Sequence, residues 1–237
     1  MEVLDPVPEH IWLRPAPTHG RVGRPAEWSR TQIIDAALTV ANSEGLPAVT
    51  TRRVARELGT GPASLYRHVA TRADMIDLMV DAALSEYETP AVTGDWRTDV
   101  VAEHLHRLRY LRSRPWIVDA VQERPHIGPA AIRLLEHTLE QLRHHPCSGQ
   151  AKLEAVGVLS GMIQTYLRNE RPGKGVLDKE FVRARTELFT RAARDGTHPR
   201  LAEVMAEVAG TSDESADDQL ARVLGLVLDG LLRPRSS

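Results

Sequence analysis

Ten histidines and one cysteine are the residues through which this chain would do metal or nucleophilic chemistry, and their spacing does not support it. His104 and His106 stand two apart, so they cannot share a helix face. His137, His144 and His145 gather near a predicted helix end with Glu136 and Glu140, but no pair has the spacing of a known metal motif. Cys147 follows Pro146 in a loop-like stretch with no evident base, so an inert thiol is expected. The glycine-rich run Arg171-Pro172-Gly173-Lys174-Gly175 lacks the spacing and the Ser or Thr of a phosphate-binding loop, and it reads as a turn. No Gly-x-Ser-x-Gly elbow occurs. The expectation is no catalytic residue, no metal and no cofactor.

A different set suits non-covalent recognition. Ala63, Ser64, Tyr66, Arg67 and His68 fall within six residues, with Thr51 and Arg52 a short way upstream. Small residues permit close approach to base edges, and Tyr and His donors suit phosphate oxygens. Arg67 suits either a guanine, in bidentate fashion, or a phosphate. The charge agrees with this placement. Between Arg14 and Arg72 nine arginines meet four acids, a net +5, whereas the whole chain carries −2. Such asymmetry suggests that one part meets a polyanion and the other does not.

These residues need elements to hold them. From Ser29, the apolar positions Ile33, Ile34, Ala37, Leu38 and Ala41 follow one helix face, and Gly45 and Pro47 end it. A short second helix fits Thr51 to Leu58, with Thr50 as its cap and Gly59 at its end. A third fits Pro62 to Val69, since proline is tolerated at a first helical position. Val54, Ala55, Leu58, Leu65 and Val69 supply a small core that leaves the polar set facing out. Thr71-Arg72-Ala73-Asp74 is a capping-box variant that opens a longer helix. Three helices, the last two short and joined by a Gly-containing turn, describe a helix-turn-helix unit whose third helix enters the major groove.

The stretch Ile33–Leu78 resembles the DNA-binding domain of TetR-type transcriptional repressors, and its tail is similar to the tetracycline-repressor branch. The resemblance rests on Ala36-Ala37, Gly45, Thr50-Thr51-Arg52-Arg53-Val54-Ala55, Leu58-Gly59, Ala63-Ser64-Leu65-Tyr66-Arg67-His68-Val69 and Thr71-Arg72-Ala73-Asp74-Met75. It implies that Thr51 and Arg52 contact phosphate and one base, and that Ala63 and Ser64 meet bases. Tyr66 and His68 would bind phosphate, and Arg67 a base or a phosphate. Arg72, where the family usually has Lys, would take a phosphate. Thr60 replaces the usual apolar turn residue, so turn packing is expected to differ.

Downstream, helices are expected at about 95–112, 128–144, 149–169, 178–195, 199–209 and 216–232, and strand alternation is not apparent. The layout resembles the helical C-terminal domain of the same family, which binds a small molecule and forms a homodimer. Val156, Gly157 and Gly161 in one helix and Leu220, Val223, Leu224, Val227, Leu228 and Leu231 in the last are the candidate dimer interface. Both helices are apolar on more than one side. His104, Trp116, Met162 and Tyr166 are candidate ligand-lining residues.

The fold class expected is all-α. A three-helix helix-turn-helix domain (residues 26–72) follows a disordered basic arm (1–25) and precedes a larger helical ligand-binding and dimerisation domain (73–237). The expected partners are double-stranded DNA carrying a palindromic operator, a second copy of the chain and an unidentified small-molecule effector. No membrane partner is expected, because the longest apolar-leaning run, Ala155–Leu167, is 13 residues and a span needs roughly 20. A single cysteine suits a reducing cytoplasm. Two readings of other classes remain open at this point: a helical enzyme or small-molecule carrier, and a non-specific architectural DNA binder.

Overall fold

Side-chain caps open α-helices at Ser29, Thr50, Thr71, Ser148 and Ser215 in the computed structural model, which describes residues 10–14, 28–170, 179–208 and 214–233. The described residues form eleven α-helices and no strand: α1 Arg30–Glu44, α2 Thr51–Glu57, α3 Pro62–Tyr66, α4 Arg72–Ser85, α5 Trp96–Arg112, α6 Pro115–Glu123, α7 Pro129–Gln141, α8 Gly149–Asn169, α9 Lys179–Arg194, α10 Pro199–Val208 and α11 Ala216–Leu231. A single 3₁₀ turn, Leu46–Ala48, links α1 to α2. Ser29 and Gln32 close a reciprocal capping box on α1, each side chain bonded to the other's backbone N–H at 3.2 and 2.9 Å. Gly45, at φ 83°, ends α1 in the left-handed region.

The chain divides into two compact units. The first comprises Met1–Thr89 and Tyr110–Glu140; the second comprises Pro90–Arg109 and Gln141–Ser237. In the first unit α1 is the central element. Ile33, Ala37 and Val40 are fully buried on it, against α2, the 3₁₀ turn and α4. α4 buries Met75, Ile76, Met79, Val80 and Ala83, together with two carboxylates, Asp74 and Asp77. In the second unit α8 buries Ala155, Leu159, Ile163 and Leu167, a strict four-residue stripe. It packs against α11, which buries Leu220, Leu224 and Leu228. α9 and α10 pair with one another and leave Leu188, Phe189, Val204 and Val208 exposed.

α6 is the element that sequence patterning missed. Pro115 and Pro125 read as breaks, but Pro115 occupies the first turn of a helix, where its missing N–H costs nothing. The third helix ends at Tyr66 rather than Val69, and Leu58 is only half buried. Of the expected arm, residues 10–14 form a turn with Ile11 buried; the remainder lies outside the described residues, as does the run Arg171–Gly175. Among the described residues no helix is long and apolar enough to cross a membrane.

Candidate nucleic-acid interface

The core beneath the polar set is small and closed to solvent. Val54 and Ala55 of α2, Leu65 of α3, and Leu46 and Val49 from the preceding turn are all within 1% of complete burial. Thr50 caps α2 by accepting the Arg53 N–H at 3.1 Å. The turn between α2 and α3 is a Schellman motif. Gly59 sits at φ 68°, the Thr60 N–H reaches the Ala55 carbonyl at 2.9 Å, and the Gly59 N–H reaches the Arg56 carbonyl at 3.1 Å. Thr60, the departure in the turn, donates its hydroxyl to Ser64 Oγ at 3.2 Å and so ties the turn to α3. Arg53 locks α2 to α1 with Glu44 at 2.7 Å and braces α2 along its own axis with Glu57 at 2.9 Å.

On this frame Arg52, Ala63, Tyr66 and Arg67 are exposed, while Thr51, Ser64 and His68 are half buried. Tyr66 keeps 56% of its surface in water, unusual for a large ring without a partner surface. Gly61, Pro62 and Ala63 leave the start of α3 without bulk, so a flat surface can approach the helix closely. His68 has its pKa lowered by burial first and then by the nearby charges of Arg30 and Arg67. Those two arginines and His68 therefore form one basic cluster. Arg30, at the start of α1, was not singled out by sequence patterning, because nothing in local spacing links it to α3.

Arg72 is placed differently from the expectation. Its Nε donates to the Val49 carbonyl at 2.9 Å and its Nη2 to the Leu46 carbonyl at 3.2 Å, while Nη1 pairs with Glu123 at 3.2 Å. The guanidinium is thus committed to holding α4 against the 3₁₀ turn and α6. A positive charge at the N-terminus of α4 is also disfavoured by the helix dipole, which this anchoring offsets.

The four ligand candidates are not gathered in one place. His104 is fully buried in the second unit, its Nδ1 on the Val100 carbonyl at 2.7 Å. Burial and then the Arg107 charge lower its pKa, against the opposing pull of Glu103, whose carboxylate lies 3.1 Å from Nδ1. Trp116 belongs to the first unit, where its Nε1 donates to Asn42 Oδ1 at 2.8 Å beside a cleft of about 440 Å³. Met162 and Tyr166 instead line a groove of about 580 Å³ with Leu220 and Val223, along α8 and α11.

The interface candidates split in the same way. Leu220, Leu224 and Leu228 face the interior of their own protomer and are buried there. Val156, Val223, Val227 and Leu231 are half buried, and Gly157 and Gly161 are exposed. Val158, 42% exposed, and Leu226, 59% exposed, lie on the outer side.

Residues 33–79 match the model of bacterial regulatory proteins of the tetR family. Residues 89–234 match the tetracyclin repressor-like C-terminal domain. The chain is 31% identical over 208 residues to the HTH-type transcriptional repressor DrrR1 of Streptomyces coeruleorubidus, which covers 84% of this chain and 76% of that protein. It is 33% identical over 76 residues to the class D tetracycline repressor protein of Escherichia coli, 31% of this chain and 35% of that one. The solved structure of the TetR family protein ActR of Streptomyces coelicolor in complex with (S)-DNPA matches at a TM-score of 0.70 and 25% identity, covering 87% of this chain and 98% of that one.

Proposed function

The chain belongs to the TetR family of bacterial regulatory proteins, and on that footing we infer that it is a sequence-specific repressor released from a palindromic operator by a small molecule. It acts as a homodimer. The observation that carries the reading is the exposed polar face of α2 and α3, held on a fully buried helix-turn-helix core within the family match. Thr51, Arg52, Tyr66 and His68 supply phosphate contacts, and Ala63, Ser64 and Arg67 read bases. Residues 26–72 are the DNA-binding part, and residues 73–237 bind the effector and dimerise. The relative DrrR1 is a repressor, and the similar ActR structure holds a small molecule, which supports effector control here. The outer side of the α8–α11 pair, with Val158, Gly161, Val223 and Leu226, is assigned to the second protomer. Its exposed apolar residues flank a groove that one chain leaves open. The protein is a regulator rather than an enzyme, and it works in the cytoplasm.

Sedimentation of the protein with duplex DNA tests this. Two protomers should bind per duplex, with log affinity falling linearly against log salt at a slope of about −0.9 per phosphate contacted. Binding by single protomers, or a slope near zero, would contradict it.

A further inference from the structure

Asp74 and Asp77 are buried carboxylates one turn apart on α4, and residues from before α1 reach both. Arg14 Nη1 meets Asp74 Oδ2 at 2.8 Å. That same oxygen accepts the Thr71 N–H at 3.1 Å and so closes the capping box of α4. Four residues, Arg67–Ala70, separate the end of α3 from this cap. At the other end of the segment, His10 Nε2 lies 3.6 Å from Asp77 Oδ2. Asp77 also receives Arg124 and His126 from the corner between α6 and α7. His126 is held on its far side by the Ala120 carbonyl at 2.9 Å.

Between these two ion pairs the segment is seated by packing. Ile11 is buried, and the Leu13 N–H closes a turn on the His10 carbonyl at 2.8 Å. Gly128 explains how the ring of Trp12 fits against the same corner. A Cβ at that position would lie 3.0 Å from Trp12 Cε2 and would collide with the Asp81 carboxylate. Asp81 is itself engaged, accepting the Ala130 N–H at 2.7 Å. Three acids spaced along α4 are thus met by the N-terminal turn and by the α6–α7 corner together. Two of these acids would be costly to bury alone, so the basic partners are required and not ornamental.

We propose that His10–Arg14 is a strap that couples the α6–α7 corner to the cap of α4, and that α3 keeps its operator-binding position only while the strap is seated. The strap acts through Asp74, one short linker away from α3.

The proposal rests on α2–α3 being the DNA-contacting surface, and its test separates the two. Arg14→Gln and Trp12→Ala are made in the full-length protein; the second leaves every buried carboxylate paired, so it guards against loss of fold in the first. Amide exchange without DNA is followed over residues 72–81, and operator affinity is measured across a salt series. Both variants should exchange faster at the start of α4. Both should bind operator at least about fivefold more weakly, with the salt slope of the unaltered protein, because no phosphate contact is lost. Unchanged exchange, or unchanged affinity, would overturn the strap. A slope reduced by about one in Arg14→Gln would also overturn it and make Arg14 a phosphate ligand. Failure of the unaltered protein to bind any operator would instead strike the α2–α3 assignment, and the coupling with it.

Discussion

His68 carries a proton-dependent expectation that follows from its surroundings. In the free protein, burial and two arginines depress its pKa below the ordinary value near 6.5. A phosphate beside the ring favours the imidazolium, so binding raises that pKa and takes up a proton. Operator affinity should therefore rise as pH is lowered from about 8 to about 6, and His68→Gln should remove the dependence. A pH-independent affinity in the unaltered protein would place His68 away from phosphate. Arg72 carries the opposite lesson. Its hydrogen bonds run to two backbone carbonyls, so Arg72→Ala should cost about 1–3 kcal/mol of stability in thermal unfolding. The salt slope of DNA binding should not change, whereas a phosphate ligand would lower it by about one. The family resemblance implies a phosphate ligand at Arg72; the acceptors that occupy it come from Leu46, Val49 and Glu123, which local sequence does not reveal.

At the scale of elements, the helix starts and stops were legible because they are local events. Ser29 with Gln32, Thr50, Gly59 and Thr71 with Asp74 all act within a few residues of themselves. Gly59 gives a direct check. Its φ of 68° is left-handed and nothing lies within 4 Å of an added Cβ, so Gly59→Ala would suffer conformational strain alone. A loss of about 1 kcal/mol in unfolding is expected. α6 is not legible because a proline marks either the end of one helix or the first turn of the next, and Pro115 does the second. The buried acids of α4 escaped for another reason. Asp74 is legible as the cap partner of Thr71 but not as buried, and Asp77 lies in the helix interior; Arg14, Arg124 and His126 reach the two from 47 or more residues away. Periodicity registers such positions as polar and therefore as surface. Asp74 in turn has its pKa raised by burial but lowered further by the Arg14 and Thr71 hydrogen bonds, with a net shift downward. Its contribution to stability is present above about pH 4 and is lost as pH falls through the depressed value. Asp74→Asn should flatten that acid limb of the stability profile.

At the scale of the whole molecule, function requires two reading surfaces in register, and one chain carries only one. On the proposed assignment, the α8–α11 pair recruits the second chain. Each helix turns one stripe inward, Leu159 and Ile163 or Leu224 and Leu228, and leaves a second apolar side open at Val158 and Leu226. The sequence pattern showed that both helices are apolar on two sides, but it could not divide the sides between core and partner. Both stripes are aliphatic, and only three-dimensional burial distinguishes them. Val158→Asp should therefore leave helix content unchanged and shift the protein to monomers in sedimentation. It should also weaken operator binding far more than a single phosphate contact would. A dimer retained in full would move the interface elsewhere.

Sequence reading by α2 and α3 is tested by enrichment of a randomised duplex pool on the purified protein at moderate salt, followed by sequencing. The recovered site should be two-fold symmetric, with half-sites about one helical turn apart or slightly more. In the same selection, Arg67→Ala should lose preference at one position in each half-site and keep it elsewhere. Enrichment without symmetry, or a pool left unenriched by a folded dimer, would contradict the claim that α2 and α3 form a sequence-reading surface.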